Sequence, residues 1–219
     1  MIAAVVFDLD GVIIQSEEVW DEVRGRYVVE RGGRYDDEAQ RAMMGMSAPE
    51  WSRYLSEELG VPGTPEQISD DLVALMTARY REELPLIPGA VDAVERLAAR
   101  WPLGLASSSN RRLIDAVLEL SGLDGLFRAT VSSGEVDRGK PAPDVYLEAA
   151  RRLDVAAEAC VAVEDSHAGI RSAGSAGMRV VAIPNPSYPP EPEALELADL
   201  VLDSIAKLTV AAIESLDEH

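Results

Sequence analysis

Two aspartates one residue apart, Asp8 and Asp10, follow the apolar run Ile2 to Phe7 and precede Gly11. Carboxylates this close repel each other and raise one pKa, unless a cation keeps both ionised or one retains a proton for acid and base work. Taken alone, an acidic turn after a strand is ordinary, but three further clusters stand with it. Ser107-Ser108-Ser109-Asn110 sets hydroxyls and, at a helix start, free backbone N–H groups where an anion would sit. Ser107, Ser108 and Asn110 are therefore candidate phosphate ligands, against the simpler option that Ser109 caps the helix. Lys140, one of only two lysines, lies in the stiffened segment Gly139-Lys140-Pro141-Ala142-Pro143-Asp144. Glu164-Asp165-Ser166-His167 puts two acids in a row after Cys160 to Val163, and an N-cap accounts for one acid but not two. Asp8, Asp10 and Asp165 offer hard oxygen ligands suited to Mg²⁺, while Ser107 and Lys140 offer hydrogen bonds and positive charge to a phosphoryl group. Together the clusters have the chemistry of a phosphoryl-transfer site.

Such a site requires elements that bring four distant segments together. Ile2 to Phe7 has the β-branched, uniformly apolar character of a central strand. From Ser16 to about Glu83 the pattern is helical, with room for roughly four helices and capping-box starts at Ser47 with Glu50 and at Thr64 with Gln67. After Pro88-Gly89, strands alternate with helices: strands at Leu103 to Ala106, Ala129 to Ser132, Cys160 to Val163 and Arg179 to Ile183, and helices at Ala90 to Arg100, Arg111 to Leu120, Asp144 to Leu153 and Ala168 to Ala176. Pro184 to Pro192 is a proline-rich loop, and a short strand near Leu200 to Leu202 and a closing helix end the pattern. The expected fold class is α/β, a Rossmann-like, doubly wound parallel sheet with an inserted α-helical domain. Residues 1–15 and 86–219 form the core and residues 16–85 the insertion. All four clusters then fall at the carboxyl ends of strands, the edge where open parallel sheets bind ligands.

Composition narrows the partners. With 39 acidic against 20 basic residues, net charge −19, the surface repels nucleic acid and anionic membrane. A phosphorylated substrate therefore needs a local positive site, and Lys140 is the candidate. Cys160, the only cysteine, lies in an apolar run and reads as core packing rather than as a nucleophile. No apolar run reaches the ~18 residues that cross a bilayer. The expectation is a soluble, cytoplasmic monomer acting on a small phosphorylated metabolite.

The four motifs, Asp8-Leu9-Asp10-Gly11, Ser107, Lys140 before Pro141, and Glu164-Asp165, resemble those of the haloacid dehalogenase superfamily. The wording Gly139-Lys-Pro-Ala-Pro-Asp and Val163-Glu-Asp-Ser-His-Ala-Gly is similar to the branch of β-phosphoglucomutase and the sugar-phosphate phosphatases. The resemblance implies that Asp8 attacks phosphorus and becomes an aspartyl phosphate, and that Asp10 serves as general acid and then base. It further implies that Ser107 and Lys140 hold the phosphoryl oxygens, that Asp165 ligates Mg²⁺ with Glu164 ligating directly or through water, and that the helical insertion closes over the site. Within the branch the alternative to a phosphatase is a phosphosugar mutase, and outside it a non-catalytic phosphate- or metal-binding module, which has no need of Asp8 and Asp10 together. Dehalogenase relatives lack the second aspartate, which is present here as Asp10. Two positions depart from the mutase pattern, Ala48 where an arginine grips a second phosphate and Trp20 where a histidine stands, and Gln15 departs from relatives more widely, which usually have an aspartate before Ser16. Arg24, Arg53 or Arg79 can replace the missing arginine only if the fold turns one of them inward. Met43 to Trp51 is the loop expected to reach the site, or else to pack between cap helices.

Overall fold

The computed structural model describes residues 1–43, 46–186 and 189–218. Its centre is β1 (Ala4–Phe7), every residue of which is buried because the strand is covered on both faces. Five more strands run parallel to it: β2 (Leu103–Ser107), β3 (Phe127–Ser132), β4 (Cys160–Glu164), β5 (Arg179–Ala182) and β6 (Leu200–Val201), in the order β3-β2-β1-β4-β5-β6. The chain winds outward from β1 in one direction through β2 and β3, then crosses to β4 and winds outward in the other. The crevice where the winding reverses therefore opens at the carboxyl ends of β1 and β4.

Side-chain size differs between the two faces. Val5, Phe7, Leu103, Leu105, Val161 and Val163 form one cluster with α5 (Ala90–Ala98) and α6 (Arg111–Ser121). Ala4, Val6, Ala106, Cys160, Ala162 and Ala182 form the other with α7 (Asp144–Leu153) and α8 (His167–Ser175). The small-residue face lets α7 settle closely on the sheet. At Gly104 of β2 a Cβ would come 3.0 Å from Leu153 Cδ1 and 3.3 Å from Val6 Cγ2, so a larger residue there would press on both side chains.

Between β1 and α5 lie four helices, α1 (Glu17–Glu30), α2 (Asp37–Met43), α3 (Ala48–Glu57) and α4 (Pro65–Glu82). The capping signals act as the sequence implies. The Ser47 N–H donates to Glu50 at 2.7 Å, the Thr64 N–H donates to Gln67 Oε1 at 3.0 Å, and the Gln67 N–H donates back to Thr64 Oγ1 at 3.3 Å. The two crossings into this helical block run side by side: the Gln15 N–H donates to Pro85 O at 2.8 Å and the Ile87 N–H to Ile13 O at 3.0 Å. An Arg112–Asp70 ion pair at 3.5 Å reaches from α6 to α4.

The expected strands and helices are all present, with ends shifted by a few residues. Beyond the expectation are several short 3-10 turns and a single helical turn, α9 (Pro192–Leu195), at the end of the proline-rich segment, where Pro192 occupies the first helical position. A short closing helix, α10 (Val210–Glu214), follows β6. Met44 and Gly45 of the loop expected to reach the site, and Ser187 and Tyr188 of the proline-rich segment, lie outside the described residues. Among the described residues no helix is long and apolar enough to cross a membrane.

Replacing Gly104 by valine overfills the contact between β2 and α7. The expected cost is about 1–3 kcal/mol, read as a lower urea midpoint with an unchanged m-value; an unchanged midpoint would contradict the close packing assigned to this face.

Candidate active site

Register brings the first two acids together. Phe7 pairs with Val163, and the Asp8 N–H extends the ladder by donating to Val163 O at 2.9 Å, so Asp8 leaves β1 beside Glu164 at the end of β4. Lys140 arrives from the loop before α7, with its side chain 4 % exposed, and its Nζ donates to Asp8 Oδ1 at 2.7 Å and to Glu164 Oε1 at 2.6 Å. The Lys140–Pro141 peptide bond is cis. Tyr146 of α7, fully buried, donates its hydroxyl to the same Glu164 oxygen at 2.7 Å.

Glu164 is saturated. Its Oε2 accepts from the backbone N–H groups of Asp165 (3.1 Å) and Ser166 (3.2 Å) and from Ser166 Oγ (3.1 Å). A Cβ on Gly169 would collide with this carboxylate, so the first turn of α8 can close over it only with glycine there. Asp165 is the opposite case, because its Oδ1 is buried and accepts no hydrogen bond. Gly11, with φ +86°, leaves the space beside Asp165 that a Cβ would fill.

Asp8, Glu164 and Asp165 each present a carboxylate oxygen within 4.8 Å of the others, a buried group that can hold a metal ion. Three acids here share one ammonium. Burial pushes Asp8 well above the ordinary carboxylate range; Lys140 opposes this, and Glu164 and Asp10 add to it. Asp165 is pushed up by burial and then by Glu164 and Asp8. Burial alone would pull Lys140 down, but Asp8 and Glu164 outweigh it and raise its pKa. A hard divalent cation fits this arrangement, since it would supply the missing positive charge and a partner for Asp165 Oδ1.

The side chain of Asp10 lies outside that carboxylate group and turns toward the helical block. Its Oδ1 accepts from Ser16 Oγ at 2.5 Å, and its Oδ2 accepts from Ser109 Oγ at 2.7 Å and from Ser107 Oγ at 3.4 Å. Ser107 is fully buried, and its Oγ also accepts the Ser109 N–H at 3.0 Å. The helix start is capped by Asn110, whose Oδ1 accepts the Arg112 N–H at 3.0 Å, and not by Ser109, whose hydroxyl is turned to Asp10. Ser108 faces a cavity of about 350 Å³ that is also bounded by Asp8, Lys140, Asp165 and His167. Asn110 stays on the wall of a second cavity on the side of the helical block.

Sequence reasoning singled out Asp8, Asp10, Ser107, Lys140, Glu164 and Asp165, and the fold gathers all six at one sheet edge. It passed over Tyr146 and Ser16. Tyr146 is one aromatic among the core residues of a helix, and only the fold reveals its bond to Glu164. Ser16 follows Gln15 at the first crossing and carries a weak signal, a serine just before a helix. Of the three arginines proposed as replacements at Ala48, Arg24 turns inward, Arg79 is held by Glu22 and Glu83 at 3.8 Å and 3.3 Å, and Arg53 is exposed.

The model of the haloacid dehalogenase-like hydrolases matches residues 2–177. The chain belongs to this hydrolase family. As a haloacid dehalogenase-like hydrolase it is similar to hexitol phosphatase B of Escherichia coli, 32% identical over 95% of this chain and 95% of that protein. It is also 29% identical to the bifunctional riboflavin kinase/FMN phosphatase of Arabidopsis thaliana over 93% of this chain, which spans 53% of that longer protein. Among solved structures, CbbY from Rhodobacter sphaeroides in complex with phosphate superposes with a TM-score of 0.87 at 28% identity, covering 98% of this chain and 100% of that one.

The shifted acids have a measurable consequence. Because the folded carboxyls hold protons that the unfolded chain releases above the ordinary value of 3.8, the metal-free protein loses stability as pH rises through and beyond that range. A cation that binds the ionised pair restores what is lost, so its stabilisation must grow with pH. Thermal unfolding with Mg²⁺ and with EDTA is expected to differ by several degrees at about pH 8 and by much less at about pH 5.5. A shift independent of pH would show that the cation binds elsewhere.

Proposed function

We propose that this hydrolase is a Mg²⁺-dependent phosphatase of small phosphate monoesters, sugar phosphates or similar metabolites, working through a phosphorylated Asp8. The observation that carries the reading is the separation of two aspartates with different partners: Asp8 is held by Lys140 at the sheet edge, and Asp10 is held by Ser16 and Ser109 facing the helical block. This division supports a nucleophilic role for Asp8 and a proton-carrying role for Asp10. The phosphatase names of relatives over nearly the whole chain support the same chemistry.

Lys140 holds the Asp8 carboxylate in place and offsets its repulsion of an incoming anion. As the bond from Asp8 oxygen to phosphorus forms, the bond from phosphorus to the ester oxygen breaks, and a proton on Asp10 passes to that leaving oxygen. Water then attacks phosphorus, Asp10 takes its proton, and the bond to Asp8 breaks to release inorganic phosphate. Ser107 and the backbone around Ser108 bind the phosphoryl oxygens. Asp8 and Asp165 would hold Mg²⁺, which when bound neutralises charge on the phosphoryl oxygens. Glu164, its oxygens already occupied, acts through Lys140 by fixing where the ammonium sits. The helical block, bounded by the crossings near residues 15 and 86, serves as the cap that shields the site from water.

A phosphosugar mutase is the weaker reading. It has to grip a second phosphate from the cap loop, where Ala48 opens α3 without a charge and Trp20 packs on Trp51 with ring centroids 5.6 Å apart.

Phosphate release from a panel of phosphorylated metabolites, with Mg²⁺ and with chelator, tests the proposal. Asp8→Asn is expected to abolish release while the protein stays folded. Asp10→Asn is expected to lower kcat by about 10²–10⁴, the usual worth of a general acid. Release that survives in Asp8→Asn would remove Asp8 as the nucleophile.

A further inference from the structure

The helical block places a positive charge beside the site that the reaction above does not use. Arg24 of α1 is 6 % exposed, and its guanidinium lies over the Trp20 ring at 4.3 Å and at 5.4 Å from the Trp51 ring centroid. Its Nε has no hydrogen-bond partner, and no carboxylate of the described residues comes within 4.0 Å of the guanidinium. Met44 and Gly45, outside the described residues, carry no charge. A guanidinium does not shed its proton at accessible pH, and two aromatic faces only partly replace the counter-charge and hydrogen bonds that burial demands. Glu17 of the same helix, half-buried, has its pKa pushed up by burial and by Asp10 against the pull of Arg24.

Arg24 lines a cavity of about 80 Å³ together with Glu17, Trp20, Trp51, Asp10 and Ser109. Asp10 is the group assigned to protonate the leaving oxygen, so an ester with its phosphorus at Asp8 sends its alcohol portion past Asp10 toward Arg24. We propose that Arg24 is a specificity-determining residue that pairs with a carboxylate on the leaving alcohol, making phosphate esters of hydroxy acids or sugar acids the preferred substrates. This rests on the phosphatase reading. A neutral polyol would leave the buried guanidinium without a contacting anionic acceptor. A second phosphate fits less well, because the cavity is small, Arg24 is the only cation lining it among the described residues, and the acids Glu17 and Asp10 on the same wall repel a dianion more than a monoanion. The flat guanidinium, stacked on one ring and flanked by another, matches the planar carboxylate fork.

The test compares esters that differ only in carboxylate against hydroxymethyl: 3-phosphoglycerate with glycerol 3-phosphate, and 6-phosphogluconate with glucitol 6-phosphate, each with Mg²⁺. The wild-type protein is expected to favour the acid in at least one pair by about tenfold or more in kcat/KM, the worth of a charge-assisted hydrogen bond. In Arg24→Gln and Arg24→Met the ratio is expected to collapse to about unity, and Arg24→Lys is expected to keep part of it. Because the ratio is taken within one protein sample, loss of folded material does not move it. Equal turnover of acid and polyol by the wild type, or a preference that persists in Arg24→Met, overturns the assignment. So does an Arg24-dependent preference for ribulose 1,5-bisphosphate over ribulose 5-phosphate without a carboxylate preference, which would give Arg24 a second phosphate instead. Failure to hydrolyse any ester, including p-nitrophenyl phosphate, overturns the phosphatase reading itself, and is distinguishable from loss of the carboxylate preference alone.

Discussion

A single ammonium buried among carboxyls is the constraint on which the rest of the molecule depends. Lys140 is enclosed with Asp8 and Glu164 at hydrogen-bond distance, and Asp165 lies in the same group. Charges taken out of water this completely persist only when each is paired and hydrogen-bonded, and removing one partner from such a set typically costs about 3–5 kcal/mol. The fold meets that demand in several places at once. The β1–β4 register sets Asp8 beside Glu164, the small-residue face of the sheet lets α7 approach and deliver Tyr146, and the glycine in α8 leaves room for the Glu164 carboxylate. A fully satisfied Glu164 holds the lysine, and the lysine holds Asp8. The one deficit in this group is at Asp165, whose unpartnered oxygen and excess negative surroundings suit a cation.

The same edge separates two tasks. Asp8 is bound to rigid sheet and loop, whereas Asp10 is bound to Ser16 at the entry to the helical block and to Ser109 after β2. Asp10, the proposed proton carrier, is thus tied to both sides of the interface between core and helices. Movement of the helical block relative to the sheet would therefore alter the Asp10 contacts before it touched those of Asp8. In the proposed mechanism, that arrangement would couple proton transfer to closure and leave Asp8 prepared in either state.

Much of this is legible in the residues. Alternating apolar runs and helical stretches specify a doubly wound sheet, because a uniformly apolar strand is stable only when both of its faces are covered. Paired acids at strand ends specify where the chemistry lies, because adjacent carboxylates are costly unless a cation or a proton compensates them. What stays hidden depends on side-chain direction. Nothing in the spacing of Asp8 and Asp10 says that they turn to different partners, or that Glu164 exhausts its oxygens on Lys140, Tyr146 and its own following turn. Ser109 and Asn110 are adjacent polar residues at a helix start, and which one caps the helix is decided by the pull of Asp10 on Ser109. Arg24 is the clearest case. A charged residue one turn after Trp20 looks like the solvated side of a helix, and only the packing of α1 against Trp51 turns it inward.

The measurement that bears most directly on the account is chemical trapping at Asp8. A phosphorylated metabolite that the enzyme hydrolyses is mixed with protein and Mg²⁺, and the mixture is quenched within the first turnover and treated with borohydride, which reduces an acyl phosphate to an alcohol. The expected result is homoserine at position 8 in the peptide containing Asp8, absent without substrate. Homoserine at position 10, or an unmodified Asp8 in a sample shown to be turning over, would contradict the assignment of the buried Lys140–Asp8 pair as the nucleophilic centre.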